Sequence, residues 1–348
     1  MTFKLPSATD PLILRLRREA GHLFPNTPRT VAAVSGGADS LALMYLLLAS
    51  GLVDPHQVLI AHFDHGLRPD SQQDAHFTRD AAHALGLPWV CGTWSSRPPT
   101  GNLAALARTA RYAFLQDAAR QYQASHLACG HHLNDQAETF MERLVRGSGP
   151  RGLAAMAPAR SLGHGVTLVR PLLFLRHQEI TSWLTRHGFP WREDPSNQNT
   201  LYLRSRIRHQ LLPSLQEILG IDPITPLANA AKHMARTNDA LEWTLDQLWP
   251  TLDLQRDQAR QQISLSWSAL AALPEELMRR IILRCHQELT GSIHAPGSRA
   301  SSLLAHMMQS NRHHWSMAMQ GLEIRRVQDR LLLTYRPEAP RKIQKHSS

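Results

Sequence analysis

The stretch Val31-Ala32-Ala33-Val34-Ser35-Gly36-Gly37-Ala38-Asp39-Ser40-Leu41-Ala42-Leu43 decides the fold. It reads as a short apolar strand, a tight glycine turn and an apolar helix. The two glycines permit backbone angles and close approaches that a Cβ would forbid. Backbone N–H groups at the turn and at the new helix N-terminus then converge on one place and favour an anion there. Ser35 and Ser40 add hydroxyls. Asp39 sits well beside a phosphate only if a divalent cation lies between them. An ordinary strand–turn–helix connection with an Asp/Ser cap is the other reading that this stretch alone leaves open.

The form of the loop narrows the choice. No G-x-x-x-x-G-K-[ST] is present, and no G-x-G-x-x-G. Ser35-Gly36-Gly37-Ala38-Asp39-Ser40 matches S-G-G-x-D-S and resembles the pyrophosphate loop of the N-type ATP pyrophosphatases. That resemblance implies cleavage of ATP to AMP and pyrophosphate, with AMP used to activate an oxygen for displacement.

Outward from the loop, strand and helix patterns alternate, which predicts a parallel α/β sheet. Strands are expected at 29–34, 57–63, 88–93, 125–130 and 166–172. Helices are expected at 12–20, 40–49, 102–122, 134–146 and 178–187. Ligands of open α/β sheets gather beyond the carboxyl ends of the strands. The polar clusters Ser35–Ser40, His62–Arg68 and His131–Glu138 fall there. The prolines of 213–226 and the turn Gly220-Ile221-Asp222-Pro223 suggest a boundary. The expected organisation is a domain over 1–213, a linker over 214–226, a mainly helical domain over 227–336 and a basic tail over 337–348. In the second domain, helices are expected at 227–248, 274–289 and 300–309, with a closing pair of strands in 321–335.

The chain of 348 residues can bury at least one full core. The longest apolar run, near Leu41–Val53, is interrupted by Ser50-Gly51 and is too short to span a bilayer. Residues 1–20 carry scattered charge and no signal-peptide core, so a cytoplasmic protein with no membrane partner is expected. Cys91, Cys129 and Cys285 lie far apart without a C-x-x-C, so neither a zinc knuckle nor a redox pair is indicated. The formal charge is +10, and Lys occurs only at 4, 232, 342 and 345, so the excess is arginine. Arginine presents a fork suited to phosphate, and a basic excess favours a polyanionic partner, nucleic acid first.

Further groups carry chemistry. His62-Phe63-Asp64-His65-Gly66-Leu67-Arg68 ends a strand and reads as a wall of the nucleotide pocket. Arg108 and Arg111 leave one helix face and repel each other unless an anion lies between them. Asp135 and Glu138, spaced i, i+3 at a helix start, can hold a metal or orient an amine, or simply favour the helix N-terminus. Arg143–Gly149 is a basic helix end entering a loop. Arg204, Arg206 and Arg208 follow Arg192-Glu193-Asp194-Pro195-Ser196-Asn197.

Taken in order, Ser35–Ser40, His62–Arg68, Ala107–Tyr112, Gly130–Thr139, Leu144–Met156 and Arg192–Arg208 resemble the bacterial tRNA(Ile)-lysidine synthetase family, through roughly residues 29–213. The resemblance implies a Rossmann-like, adenine nucleotide alpha-hydrolase-like sheet. It also implies ATP and Mg2+ as cofactors, with a CAU-anticodon tRNA(Ile) and free L-lysine as partners. There is room for a homodimer. The wobble cytidine O2 would attack the α-phosphate, and the lysine ε-amine would then displace AMP from C2.

The implied roles follow residue by residue. Ser35, Gly36, Gly37, Ala38, Asp39 and Ser40 would cradle pyrophosphate, with His62 lining the nucleotide pocket. Asp39 and Asp135 would hold Mg2+. Arg108 or Arg111 would meet the α-phosphate, Arg111 as part of the catalytic set. Glu138 would pair with the lysine ammonium or accept its proton. His132, Arg192, Asp194, Asn197, Arg204 and Arg208 would form the lysine and cytidine region. Asn134 and Ser205 stand where the family commonly has Asp and Asn. A tRNA thiolase of the same superfamily is the alternative, poorly matched by three isolated cysteines.

Overall fold

The computed structural model describes residues 5–66, 70–94, 103–193, 203–291, 314–319 and 321–337. Contacts divide the chain into two compact units, 1–235 and 236–348.

Unit 1 opens with α1 (Pro11–Ala20), β1 (Thr30–Ala33), α2 (Ala38–Ser50), β2 (Val58–Asp64), α3 (Ser71–Ala84) and β3 (Trp89–Thr93). It continues with α4 (Leu103–Gln121), β4 (His126–Cys129), α5 (Leu133–Leu144), α6 (Pro150–Leu153), β5 (Ala159–Ser161), β6 (Thr167–Val169) and α7 (His177–Arg186). After α8 (Leu203–Arg206) the helix widens into a π turn, Ile207–Leu211, before α9 (Leu212–Leu219). The long α10 (Ile224–Leu248) carries the boundary between the units, after Ala235.

The sheet order is β3-β2-β1-β4-β6-β5, parallel throughout except for the antiparallel edge strand β5. Side chains on β1 alternate between faces. Ala32 and Val34 join the core shared with α1, α2 and α7, while Val31 joins the core under α4. α2 is apolar on nearly every side because it is enclosed. Leu41, Leu43, Leu46 and Leu47 are all but inaccessible to water, each contributing about 1.5–3 kcal/mol of burial free energy. Chain order runs one way from β1 to β2 and β3 and the other way to β4 and β6. The crevice between β1 and β4 is therefore the switch point where such sheets take ligands. The register pairs Ala33 with both Ala61 and Cys129, which brings the loops after β1, β2 and β4 to the same edge.

The expected strands and helices of unit 1 are present within a few residues. The sequence reading did not name α3 or the edge strand β5. The proposed 214–226 linker is mostly helix. Pro226 sits in the first turn of α10, where a missing N–H costs no hydrogen bond, while Pro213 follows the π turn inside the continuous helical run from Leu203 to Leu219. Only Gly220–Pro223 separates the two helices, and Gly220 closes α9 with a left-handed cap.

Unit 2 holds the end of α10, β7 (Gln255–Asp257), β8 (Gln262–Ser266), α11 (Trp267–Ala271), α12 (Glu275–Thr290), β9 (His314–Met319), β10 (Leu322–Val327) and β11 (Arg330–Tyr335). Its antiparallel sheet runs β7-β8-β11-β10-β9. The anticipated closing strands are β10 and β11, but they belong to five strands. Leu322 and Ile324 on β10, and Leu331 and Leu333 on β11, alternate into a core with Trp267, Ile281 and Cys285. The helix expected at 300–309 and the basic tail lie outside the described residues.

Candidate active site

The loop after β1 is set by its own atoms. Gly36 has φ +94°, a left-handed conformation that disfavours any side chain. Gly37 caps α2 without a side-chain hydrogen bond, so the first amides of this helix keep their capacity for an external anion. The Ser40 hydroxyl donates to the Gly37 carbonyl (2.9 Å) and accepts from the Ser35 backbone N–H (3.0 Å). The Ser35 hydroxyl lies 3.2 Å from it. The expected ligand hydroxyl of Ser40 is thus a staple that holds the loop open. Gly130, directly after β4, lets the next motif close on this one. A Cβ there would lie 2.6 Å from the Asp39 carbonyl oxygen.

A cavity of about 510 Å³ opens over this edge of the sheet. Ser35, Gly36, Gly37, Asp39, Ser40 and His62 line one part of it, and Arg108, Arg111, Asp135, Arg192, Arg204 and Arg208 line the rest. Ala38, His132 and Glu138 are buried around it. Asp194, Asn197 and Arg68 lie outside the described residues. His62 is fixed by a 2.9 Å bond between Nδ1 and the Val34 carbonyl, and burial pushes its pKa down, so Nδ1 carries the proton and donates.

The carboxylates fall into two groups. Asp39, in the first turn of α2, accepts from His177 Nδ1 at 2.8 Å and lies 3.4 Å from His132 Nε2. Burial opposes its charge, yet these imidazoles hold it well below the usual carboxylate range. His132 is buried at the start of α5. Desolvation works against its protonation, but Asp39 and Asp135 outweigh it and raise its pKa. His177 opens α7 and was not singled out in the sequence. Its backbone N–H donates to the Asn134 side-chain carbonyl at 3.1 Å, while the Leu133 N–H donates to the Leu175 carbonyl at 2.7 Å. Asn134 therefore ties the starts of α5 and α7 together.

Asp135 and Glu138 face a different set of partners. Glu138, 1% exposed, accepts from Arg204 Nε (2.9 Å), Arg208 Nε (2.5 Å) and Arg208 Nη2 (3.0 Å). Asp135 accepts from Arg204 Nη2 (2.6 Å), Arg208 Nη2 (3.2 Å) and the His132 backbone N–H (3.0 Å). Burial raises the Asp135 pKa, but His132 and Arg204 more than offset this and lower it; burial likewise opposes the arginine charges, yet the acids hold both guanidinium pKa values up. Two acids and two guanidiniums thus neutralise one another, as buried charges must. Both oxygens of Glu138 are occupied, which departs from a free carboxylate awaiting an ammonium. Arg204 and Arg208 lie four residues apart across the junction of α8 and the π turn, a helical distortion often found at functional sites.

The Asp39 and Asp135 carboxylates both face His132 Nε2, at 3.4 and 3.6 Å, so a Mg2+ between them would take the place of that imidazole contact. Asp135 also meets two arginines, and Asp39 is flanked by His132 and His177. Mg2+ favours oxygen ligands over imidazole.

Arg108 and Arg111 lean on the Tyr112 ring, at 5.1 and 5.5 Å from its centroid. Among the described residues neither is paired with a carboxylate. Arg192 is held by Asp74 on α3 and by the Gln73 side chain (3.2 Å), and its backbone N–H donates to the Gly36 carbonyl (3.0 Å). Arg192 thereby pins the phosphate loop as much as it lines the cavity. Burial pushes up the thiols of Cys91, Cys129 and Cys285, the last to about 12, which disfavours thiolate chemistry.

A PP-loop domain family model matches residues 13–215. The chain is 37% identical over 296 residues to a tRNA(Ile)-lysidine synthase of Ruegeria pomeroyi, covering 84% of this chain and 68% of that protein. It is 38% identical over 302 residues to the enzyme of the same name from Bradyrhizobium diazoefficiens, covering 84% and 82%. Among solved structures, the U34-tRNA thiolase NcsA of Methanococcus maripaludis with its [4Fe-4S] cluster superposes with a TM-score of 0.53 at 18% identity, covering 66% of this chain and 77% of that one. That likeness concerns the fold. Among the described residues no helix is long and apolar enough to cross a membrane.

Proposed function

The chain belongs to the tRNA(Ile)-lysidine synthase family, built on a PP-loop domain, and from that premise we propose that it ligates lysine to C2 of the wobble cytidine of a CAU-anticodon tRNA(Ile) at the expense of ATP. The observation that carries the reading is the convergence on one cavity of the phosphate loop, the arginines Arg108 and Arg111, and the caged arginines Arg204 and Arg208.

In the first step the Gly36-Gly37 turn and the first amides of α2 hold the β- and γ-phosphates of ATP. Arg108 and Arg111 meet the α-phosphate. Cytidine O2 attacks the α-phosphorus, an O–P bond forms, and pyrophosphate leaves with the electrons of the broken P–O bond. Fixed cations at this position stabilise the charge that builds on the phosphoryl oxygens. In the second step the neutral ε-amine of lysine attacks C2, the C2–O bond breaks, AMP departs and the amine loses a proton. Lysidine reads AUA where cytidine reads AUG.

Asp135 and Glu138 act in this scheme through Arg204 and Arg208, aiming the half-exposed guanidiniums at anionic groups of the substrates. Glu138 is a positioning residue here, since its oxygens are spent on the arginines. Mg2+ would enter with the triphosphate, which brings the oxygen ligands that the protein does not assemble. The positive charge of +10 suits a tRNA partner. The test is incorporation of radiolabelled lysine into a CAU-anticodon tRNA(Ile) transcript with ATP and Mg2+. One pyrophosphate per lysine is expected, and a folded sample giving no lysine-dependent product would refute the reading.

A further inference from the structure

We propose that the face built from the end of α5, α6 and the β5–β6 hairpin is the docking surface for the sugar–phosphate backbone of the RNA strand whose base enters the cavity. The inference rests on the reading that a tRNA is the substrate, and it names the part of the molecule that holds it.

The sequence marks this face by what it lacks. From Arg143 to Gln178 there is no Asp or Glu, while Arg143, Arg146, Arg151, Arg160, Arg170 and Arg176 fall within that span. Two of the six are paired with acids outside it, Arg146 with Glu142 (2.7 Å) and Arg176 with Asp222. Two hold backbone. Arg143 donates to the carbonyls of Gly152 (2.6 Å) and Ala155 (2.8 Å), and Arg170 donates to that of Ala157 (2.6 Å). The remaining two, Arg151 on α6 and Arg160 on the edge strand β5, are exposed and have no carboxylate partner among the described residues.

The face is fastened to the cavity. The Gln136 side chain, next to Asp135 on α5, donates to the Met156 carbonyl (2.7 Å) and accepts from the Met156 N–H (2.8 Å). With the Arg143 clamp this fixes the turn in which Ala155 takes φ +52°. β6 pairs with β4, and Gly130 and His131, which follow β4, line the cavity. Arg170, at the end of β6, is buried and feels the like charges of Arg160 on one side and Arg108 on the other. Arginines therefore run from the exposed edge strand to Arg108 and Arg111 in the cavity wall. Like charges placed together without an acid repel, and an anion lying along them removes that cost. A base taken up for chemistry leaves its stack while the flanking phosphates stay outside the pocket, so a strand backbone is the polyanion that this row fits. Arginine is also the side chain that matches phosphate oxygens two at a time.

The test is the affinity of the full chain for a CAU-anticodon tRNA(Ile) transcript and for an unrelated tRNA transcript, measured across a salt series. Replacing both exposed arginines, Arg151→Ala with Arg160→Ala, should weaken binding roughly 10- to 30-fold at 0.1 M salt. The slope of log affinity against log salt should fall by about 1.4 to 1.8, at ~0.7–0.9 per phosphate contact. Both transcripts should lose equally, because backbone contacts carry no sequence information. ATP affinity should stay at the parent value. Gln136→Ala, which frees the turn, should weaken tRNA binding and spare ATP binding. Arg18→Ala, an exposed arginine paired with Glu19 on α1 across the sheet from α4, should change neither affinity nor slope. An unchanged slope in the double variant, or a loss confined to one transcript, would overturn the proposal. Loss of polyglutamate binding with tRNA affinity intact would assign the face to an acidic protein instead. Lysine incorporation by the parent chain is scored separately: a chain that binds tRNA through this face and makes no lysidine would defeat the proposed reaction and leave the docking surface standing.

Discussion

Asp39 and Glu138 belong to the two halves of one site, and their contrast shows what fixes the role of a carboxylate. Asp39 is a third exposed, touches two imidazoles and faces the cavity beside a helix N-terminus. Glu138 is buried and wrapped by two guanidiniums that come from 66 and 70 residues further along the chain. One half is open to ligand and the other is internally balanced. Spacing within a helix put Asp135 beside Glu138, but the partners supplied by α8 and the π turn decide what the pair does.

The contrast breaks in order of effect. Asp39→Asn removes the carboxylate that would meet the Mg2+ carried in with the triphosphate, and pyrophosphate release should fall on the order of 100-fold with little change in stability. Steady-state release and a urea melt on the same sample read both quantities. Glu138→Gln should do the reverse first. It strands two guanidiniums against a neutral group, with a stability loss of about 2–3 kcal/mol in urea, reduced from the full buried-pair cost because the arginines are half-exposed. A Glu138→Gln protein that melts like the parent while losing activity would make Glu138 a substrate ligand after all.

Gly130→Ala tests the seam between the halves. Its Cβ would press on the Asp39 carbonyl, so either the loop shifts or stability drops by about 1–3 kcal/mol. Urea unfolding and ATP affinity should worsen together. Asp10 provides a third carboxylate, remote from chemistry. It caps α1 through the Leu12 and Ile13 N–H groups and accepts from Trp183. Burial raises its pKa, but those hydrogen bonds outweigh it and lower the folded value. Its contribution is full above the unfolded aspartate value of about 3.9 and disappears as pH falls through the folded pKa. Asp10→Ala should cost about 1 kcal/mol at pH 7 and almost nothing below both pKa values, as thermal melts across acid pH would show.

The phosphate turn, the strand–helix alternation that implies a parallel sheet and the paired arginines of α4 were legible because short-range signals specify them. The S-G-G-x-D-S form of the turn, more than its two glycines, marks it as a phosphate loop, and Arg108 and Arg111 share a helix face by spacing alone. His177 was not legible. It is one polar residue among Arg176, His177 and Gln178, and only the tertiary pairing of α5 with α7 brings it to Asp39. The Arg204–Glu138 and Arg192–Asp74 pairings span 66 and 118 residues, beyond any local pattern. In unit 2, β7 and β8 are three and five residues long, too short for alternation to stand out, which is why a helical reading prevailed there.

The most direct measurement uses ATP labelled at the α-phosphate, a CAU-anticodon tRNA(Ile) transcript and no lysine. The expected result is label on the tRNA, released as AMP when lysine is added. Release of pyrophosphate without labelled tRNA, or a labelled tRNA indifferent to lysine, would contradict a two-step ligation in this cavity.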